Sequence, residues 1–289
     1  MILTPFASTR RAVTLYDNPM SSASTSIFKD RLLEGKVAFI TGGSSGICQR
    51  MAGRFAEHGA KVAILARNQE KLDAAVGAMS KAYPATSITG FSADVRDYAA
   101  VDTALEKTRD LYGAIDILIA GAAGNFPAPA LGMSSNAFKA VMDIDLLGTF
   151  NTCRAAHQYL SKPGASIIAI SASQATVPVA QQAHVCAAKA GVDLLIKTLA
   201  IEWGPEGIRC NCITPGPTDD TEGMRRLAPT DEARARSIRQ VPLRRYGTKD
   251  ELADLALFLS SDAAAYMTGA VYYCDGGSAI AGRSLEVSA

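Results

Sequence analysis

The chain has 289 residues, 48% hydrophobic and 20% charged, enough to bury a large core and close to the upper limit for a single one. Its 29 basic and 28 acidic side chains leave a net charge of +1, with no basic block or aromatic-interleaved basic stretch, which argues against a nucleic-acid partner. No apolar run reaches the roughly 20 residues that cross a bilayer, and six scattered cysteines and three distant histidines give neither a disulfide framework nor a metal cluster, so a reducing compartment without membrane or metal is expected.

Residues 1–30 read as a leader and residues 31–289 as a single domain. Met1 to Ile27 lacks the continuous apolar segment of a secretory signal. With Arg10, Arg11, many hydroxyl residues and Asp17 as its one acid, it is faintly like an organelle transit peptide; a disordered tail or a true start at Met20 stays open.

From Lys36 onward, short apolar runs alternate with longer segments of helical period, the pattern of a doubly wound α/β domain with helices on both faces of a parallel sheet. The first strand is expected at Lys36–Thr41, followed by a glycine turn and a helix through His58. The second is Lys61–Ala66 with a helix from Gln69, the third lies near Ser87–Ser92 and ends at Asp94, and the fourth is Asp116–Ala120. The spacing then predicts one long helix from about Asn136 to Leu160, a strand at Ser166–Ser171, a helix carrying Lys189 and Trp203, and a strand at Arg209–Thr214. Residues 215–245, rich in Pro, Gly, Asp and Arg, read as a substrate lid with short helices. Thr248 and Glu251 form a capping box for the last long helix, and Ala270–Cys274 is the final strand before Asp275-Gly276-Gly277.

Between the first strand and first helix lies Thr41-Gly42-Gly43-Ser44-Ser45-Gly46-Ile47-Cys48. Glycines there let the backbone turn sharply and bring N–H groups and the helix N-terminus to a pyrophosphate. Gly42, Ser44, Ser45, Gly46 and Ile47 are therefore candidate cofactor contacts. Cys48 stands where a third glycine is common, either as a packing residue or as a thiol activated by the helix end. After the second strand comes Arg67, where NAD-binding folds place an acid for the ribose 2′-hydroxyl; a guanidinium suits a 2′-phosphate and so favours NADP(H), the alternative being a solvated surface charge. Asp94 and Val95 are candidates for the adenine.

These motifs, with Ala120-Gly121-Ala122-Ala123-Gly124, Lys189, Pro215-Gly216 and Asp275-Gly276-Gly277, resemble the short-chain dehydrogenase/reductase family over Gly35 to Gly277. Three positions depart from its usual pattern: Ala172, Val185 and Asp145 stand where most members carry Ser, Tyr and Asn. Without the tyrosine, a carbonyl reductase loses its proton donor. Asn125-Phe126, Asn136-Ala137-Phe138-Lys139, Met142-Asp143-Ile144-Asp145 and Thr221 to Leu227 resemble the 2,4-dienoyl-CoA reductases, and the arrangement of Asp145 with Lys189 is similar to their peroxisomal branch.

The resemblance implies an NADP(H)-dependent oxidoreductase that reduces a 2,4-dienoyl-CoA to a 3-enoyl-CoA in the degradation of unsaturated fatty acids. Asp145 and Lys189 would be catalytic. Gly121, Ala122, Lys189, Pro215, Gly216 and Thr218 would complete the cofactor site. Phe126 and His184 would line the acyl site, Ser134, Ser135 and Asn136 would meet the thioester or pantetheine, and Arg67, Arg96 and Arg226 would meet the phosphates of CoA. A homo-oligomer, tetramer or dimer, is implied as well, and a peroxisomal location, although the chain ends Glu286-Val287-Ser288-Ala289 without a Ser-Lys-Leu address. Two other readings stay open: a reductase of an enone or ketone in specialised metabolism, and a non-catalytic NADP(H)-binding scaffold.

Overall fold

The computed structural model describes residues 28–281. The chain divides into Met1–Asp30 and Arg31–Ala289, and every strand and helix described belongs to the second part. The reading of Met1 to Ile27 as a leader lies outside the described residues.

Seven strands form one sheet: β1 Val37–Thr41, β2 Lys61–Ala66, β3 Ile88–Ser92, β4 Ile117–Ala120, β5 Ser166–Ile170, β6 Arg209–Pro215 and β7 Val271–Cys274. All neighbours are parallel, in the order β3-β2-β1-β4-β5-β6-β7. This is the doubly wound sheet expected. The short apolar runs serve because β1 and β4 are buried on both faces, where alternation would leave polar side chains in the core. The edge strands β3 and β7 are only partly buried. Chain order reverses between β1 and β4, so a crevice opens at the carboxyl ends of these strands.

Helices α1 Gly46–Glu57, α2 Gln69–Ala82 and α3 Tyr98–Tyr112 follow the first three strands. One face of the sheet packs against α3, α5 Gly148–Ala156 and α6 Ala183–Trp203, through Phe39, Leu65, Leu118, Ile167, Val192 and Cys212 among others. On the other face α1 meets α9 Lys249–Ser260, where buried Arg54 reaches Asp250 and Asp254, each at 2.9 Å. The Thr248–Glu251 capping box that starts α9 is formed. Side chains of Asn68 and Asp97 cap α2 and α3, which is why those helices start where they do.

The single long helix read over Asn136–Leu160 is interrupted. It consists of α4 Ser135–Val141, a π-helical turn at Met142–Leu147, α5, and a 3-10 turn at His157–Tyr159. A π turn holds one more residue than an α turn, so a backbone carbonyl must find another donor. Thr149 Oγ1 donates to the Asp145 carbonyl at 2.6 Å. Gly148 lets the helix press on the loop after β3, since a Cβ there would lie 2.5 Å from Val95 Cγ2.

Residues 215–245 hold two short helices without a buried side chain, α7 Glu222–Leu227 and α8 Asp231–Gln240. They are tied down by ion pairs, Arg234 to Asp219 at 2.8 Å and Lys249 to Asp220 at 2.5 Å. Among the described residues no helix is long and apolar enough to cross a membrane.

Candidate cofactor and substrate site

At the carboxyl ends of β1, β2 and β4 lies a cavity of about 680 Å³. Its wall includes Gly42, Ser44, Ser45, Ile47, Arg67, Asp94, Val95, Gly121 and Ala122, so most of the expected cofactor residues converge there. The turn is built for close approach. Gly42 has φ +73°, and a Cβ on it would lie 2.9 Å from the Gly121 carbonyl oxygen. Gly46, with φ +60°, opens α1. The side chain of Ser45, the N-cap residue of α1, makes no capping hydrogen bond, so the first amides of the helix are left for an anion. Volume, glycine cradle and helix end together fit a dinucleotide.

The cationic side of the cavity carries Lys71 as well as Arg67. Lys71 was not singled out in the sequence; its one signal is the place in the first turn of α2, where its amide is capped by Asn68. Arg67 stands 3.8 Å from Asp94, while Arg96 bonds Asp94 at 2.7 and 3.0 Å. The hydrogen bonds from Arg96 hold the Asp94 carboxyl below the usual carboxylate range. Arg96 is thus committed to Asp94, and Arg226, out on α7, to Glu222 at 2.9 Å.

Cys48 packs under this floor. Burial pushes its thiol up to about 12, the opposite of activation by a helix end. Its Sγ lies 3.8 Å from the Gly121 carbonyl oxygen, and a Cβ on Gly121 would fall 2.3 Å from it. Cys48 therefore occupies the space that Gly121 leaves free.

Deeper in, four elements meet at one charge pair. Asp145 comes from the π turn and Lys189 from α6; Lys189 Nζ lies 3.2 Å from Asp145 Oδ2, and both side chains are buried. The Gly124 N–H, from the loop after β4, donates to Asp145 Oδ1 at 2.7 Å, and Lys189 donates to the carbonyl of Ile170 at the end of β5 at 3.0 Å. One turn before Lys189, Val185 is buried with Val141 and Ala188 against Phe126, Met142 and Leu146. His184 is fully buried, its ring 4.5 Å from that of Phe126, and neither ring nitrogen has a hydrogen-bond partner. Ser134, Ser135 and Asn136 are exposed at the start of α4, where Ser134 accepts from the Ala137 amide. Pro215, Gly216 and Thr218 follow the end of β6; Gly216 is pressed on Asp275, and Thr218 Oγ1 donates to the Gly216 carbonyl at 2.9 Å. A second cavity of about 400 Å³ is lined by Arg245, Glu251, Tyr273, Cys274 and Asp275 among others.

A parallel sheet in this order, with a glycine turn and an open helix end at its switch point, fits a dinucleotide-binding fold, and the family and relatives make the chain an oxidoreductase that uses a nicotinamide cofactor. The chain belongs to the short-chain dehydrogenase/reductase family: residues 42–279 match the family described as enoyl-(acyl carrier protein) reductase. It is 44% identical to the peroxisomal 2,4-dienoyl-CoA reductase [(3E)-enoyl-CoA-producing] of Saccharomyces cerevisiae, over 85% of each chain. It is 40% identical to the probable 2,4-dienoyl-CoA reductase [(2E)-enoyl-CoA-producing] of Bacillus subtilis, over 85% of this chain and 97% of that one. Among solved structures, a short chain dehydrogenase from Bacillus anthracis superimposes with a TM-score of 0.75 at 40% identity, covering 84% of this chain and 96% of the other.

Proposed function

We propose that this chain reduces 2,4-dienoyl-CoA thioesters with NADPH to give 3-enoyl-CoA products. The observation that carries the reading is the buried Asp145–Lys189 pair beside Val185, where most family members carry a tyrosine. A ketone reductase needs a hydroxyl acid to protonate an alkoxide; a conjugated thioester spreads its developing charge over the thioester oxygen and Cα and needs only a stabilised anion and a proton from water. The names of the yeast and Bacillus subtilis relatives agree with the substrate class; the yeast name carries the (3E)-enoyl product and the Bacillus subtilis name the (2E)-enoyl one.

When bound, the reduced nicotinamide supplies a hydride, which C5 of the dienoyl group receives. Lys189 holds the nicotinamide ribose and lends positive charge. Asp145, fixed by the Gly124 amide, orients and polarises the water that protonates Cα. Gly42, Ser44, Ser45, Gly46 and Ile47 receive the pyrophosphate; Asp94 and Val95 border the adenine; Gly121, Ala122, Pro215, Gly216 and Thr218 border the nicotinamide half. Arg67 takes the 2′-phosphate with Lys71 beside it, and a guanidinium at the position after β2 where an acid would hold a ribose 2′-hydroxyl favours NADP(H) over NAD(H).

Phe126 and His184 line the acyl chain, and Ser134, Ser135 and Asn136 contact the thioester or pantetheine. Arg96 and Arg226 serve the CoA phosphates, Arg96 by releasing Asp94 and Arg226 by releasing Glu222, while Arg67 is kept by the cofactor's 2′-phosphate. Residues 215–245 act as the lid of one NADP(H)-binding domain formed by 31–289. Exposed Leu147 and Phe150, and Leu194 and Ile201 on α6, support assembly into a dimer or tetramer. A peroxisomal place of action follows the naming of the yeast relative.

The test is oxidation of NADPH with a 2,4-dienoyl-CoA, the product double bond being located by NMR. A 3-enoyl product is expected. A 2-enoyl product would move protonation from Cα to C4, and turnover of simple ketones but not of dienoyl thioesters would overturn the reading.

A further inference from the structure

Behind the pair in the site lies a second carboxylate. Asp193 sits four residues after Lys189 on α6 and is only 6% exposed. Its Oδ1 has no hydrogen-bond partner, and among the described residues it takes part in no ion pair. Its polar neighbour is the Cys212 thiol on β6, pushed up by burial and then by the Asp193 charge. A buried carboxylate oxygen left without a hydrogen-bond partner is unfavourable.

Two more polar atoms share its surroundings. Ser171, just past β5, is 2% exposed and Thr214 on β6 is fully buried, and neither hydroxyl has a hydrogen-bond partner. The strand register places them side by side: Ile170 pairs with Ile213, and the Ser171 N–H donates to the Ile213 carbonyl. Alternation along the strands turns both towards α6, since Ala169 and Cys212, two residues earlier on each strand, belong to the cluster that includes Val192 and Ile196 of α6. Lys189 reaches the Ile170 carbonyl, next to Ser171 in the chain. The groups facing Lys189 are Asp145 from the π turn, Cys48 from α1 and Cys212 from β6, and Asp193, one turn along α6, faces Cys212 as well.

Residues four apart on a helix face have Cβ atoms about 5–6 Å apart, which puts Asp193 one turn from Lys189 on the same face of α6. A buried water takes two to four polar partners. We infer that Asp193, Ser171 and Thr214 form an internal water site that anchors Lys189 from behind, making Asp193 and Thr214 positioning residues for the nicotinamide end of the cofactor site. Lys189 has three N–H donors, of which Asp145 and Ile170 take two and the third is left for the ribose; the water site acts on Lys189 through the Ile170–Ser171 strand end that its ammonium grips. The inference rests on Lys189 serving the nicotinamide ribose and not on which substrate is reduced.

The test uses the full chain and NADPH binding by fluorescence, which needs no thioester, so failure of the dienoyl-CoA reading is seen separately. Thr214→Val removes the hydroxyl at constant shape, and Asp193→Leu removes both oxygens while Asp193→Asn keeps an acceptor. Thr214→Val and Asp193→Leu are expected to weaken NADPH binding by about tenfold each, Asp193→Asn by less than about threefold, and the losses should vanish in a Lys189→Ala background. Equal losses with and without Lys189, or none in any variant, overturn the inference. If Asp193→Leu does not fold, Thr214→Val alone carries the comparison. A crystal structure at high resolution should show a water within hydrogen-bond distance of Asp193 Oδ1 and of one hydroxyl; a direct Asp193–Lys189 contact there would overturn it equally.

Discussion

Lys189 Nζ lies 3.2 Å from Asp145 Oδ2, and neither side chain reaches solvent to more than a few percent. Each is held by a backbone group from a different element, Asp145 by the Gly124 amide and Lys189 by the Ile170 carbonyl. The pair is therefore aimed as well as neutralised, as a site needs when it must polarise water and bear positive charge near a forming anion.

Asp145→Asn and Lys189→Ala are each expected to lower kcat with a dienoyl-CoA by on the order of a hundredfold. Steady-state assays, with circular dichroism to show that the fold persists, check this. Near-normal turnover in both would remove the pair from the chemistry.

Arg67 borders the cavity where a 2′-phosphate would sit and is 3.8 Å from Asp94. Arg67→Ala should reduce kcat/KM for NADPH by about tenfold to a hundredfold, the worth of a charged hydrogen bond, and leave NADH almost unchanged. The measurement is the ratio of the two specificity constants, and an unchanged ratio would make Arg67 a surface charge.

Cys48 and Gly121 are expected to be interdependent. A methyl group on Gly121 would stand 2.3 Å from Cys48 Sγ, with backbone around it. Gly121→Ala should destabilise the fold by about 1–3 kcal/mol through overpacking and weaken cofactor binding, while Cys48→Gly added to it should restore most of the loss. Melting temperatures of the single and double variants decide the point. Because burial raises the Cys48 thiol to about 12, the native protein should also resist thiol reagents at this residue near pH 8.

Glu251 provides the pH-dependent case. Its carboxyl is held below the usual range, first by the hydrogen bond from Arg245, with the Thr248 amide contributing. A depressed carboxylate contributes stability that is complete above its unfolded value, about 4.3, and is lost as pH falls through the lower folded value. Glu251→Gln should therefore lower the melting temperature at pH 7, and the difference from the parent chain should shrink on acidification below about pH 4. A constant difference down to pH 3 would show that the carboxylate charge is not responsible.

The chain by itself determined the sheet, the glycine turn and the missing hydroxyl. Runs such as Lys61–Ala66 and Asp116–Ala120 carry their strand character locally, through apolar continuity bounded by turns, and Gly42 to Ile47 declare an anion site by lying between strand and helix. The substitution of Val185 for tyrosine is visible only because Lys189 marks the helix, and the likeness to dienoyl-CoA reductases made sense of it. Tertiary structure decided the rest, because it depends on which distant residues the strand register and helix packing bring together. The helical period runs on through Met142–Leu147, so nothing local reveals the π turn that presents Asp145 to Lys189. Lys71 joins Arg67 at the cavity wall only once α2 is docked, and Arg96 proves committed to Asp94 only when the turn after β3 is folded. Asp193, Ser171 and Thr214 come from a helix and two strand ends, and only the packing of α6 on β5 and β6 makes them neighbours. Periodicity reports on contacts a few residues apart, while a site assembled from four elements is written in contacts that span the chain.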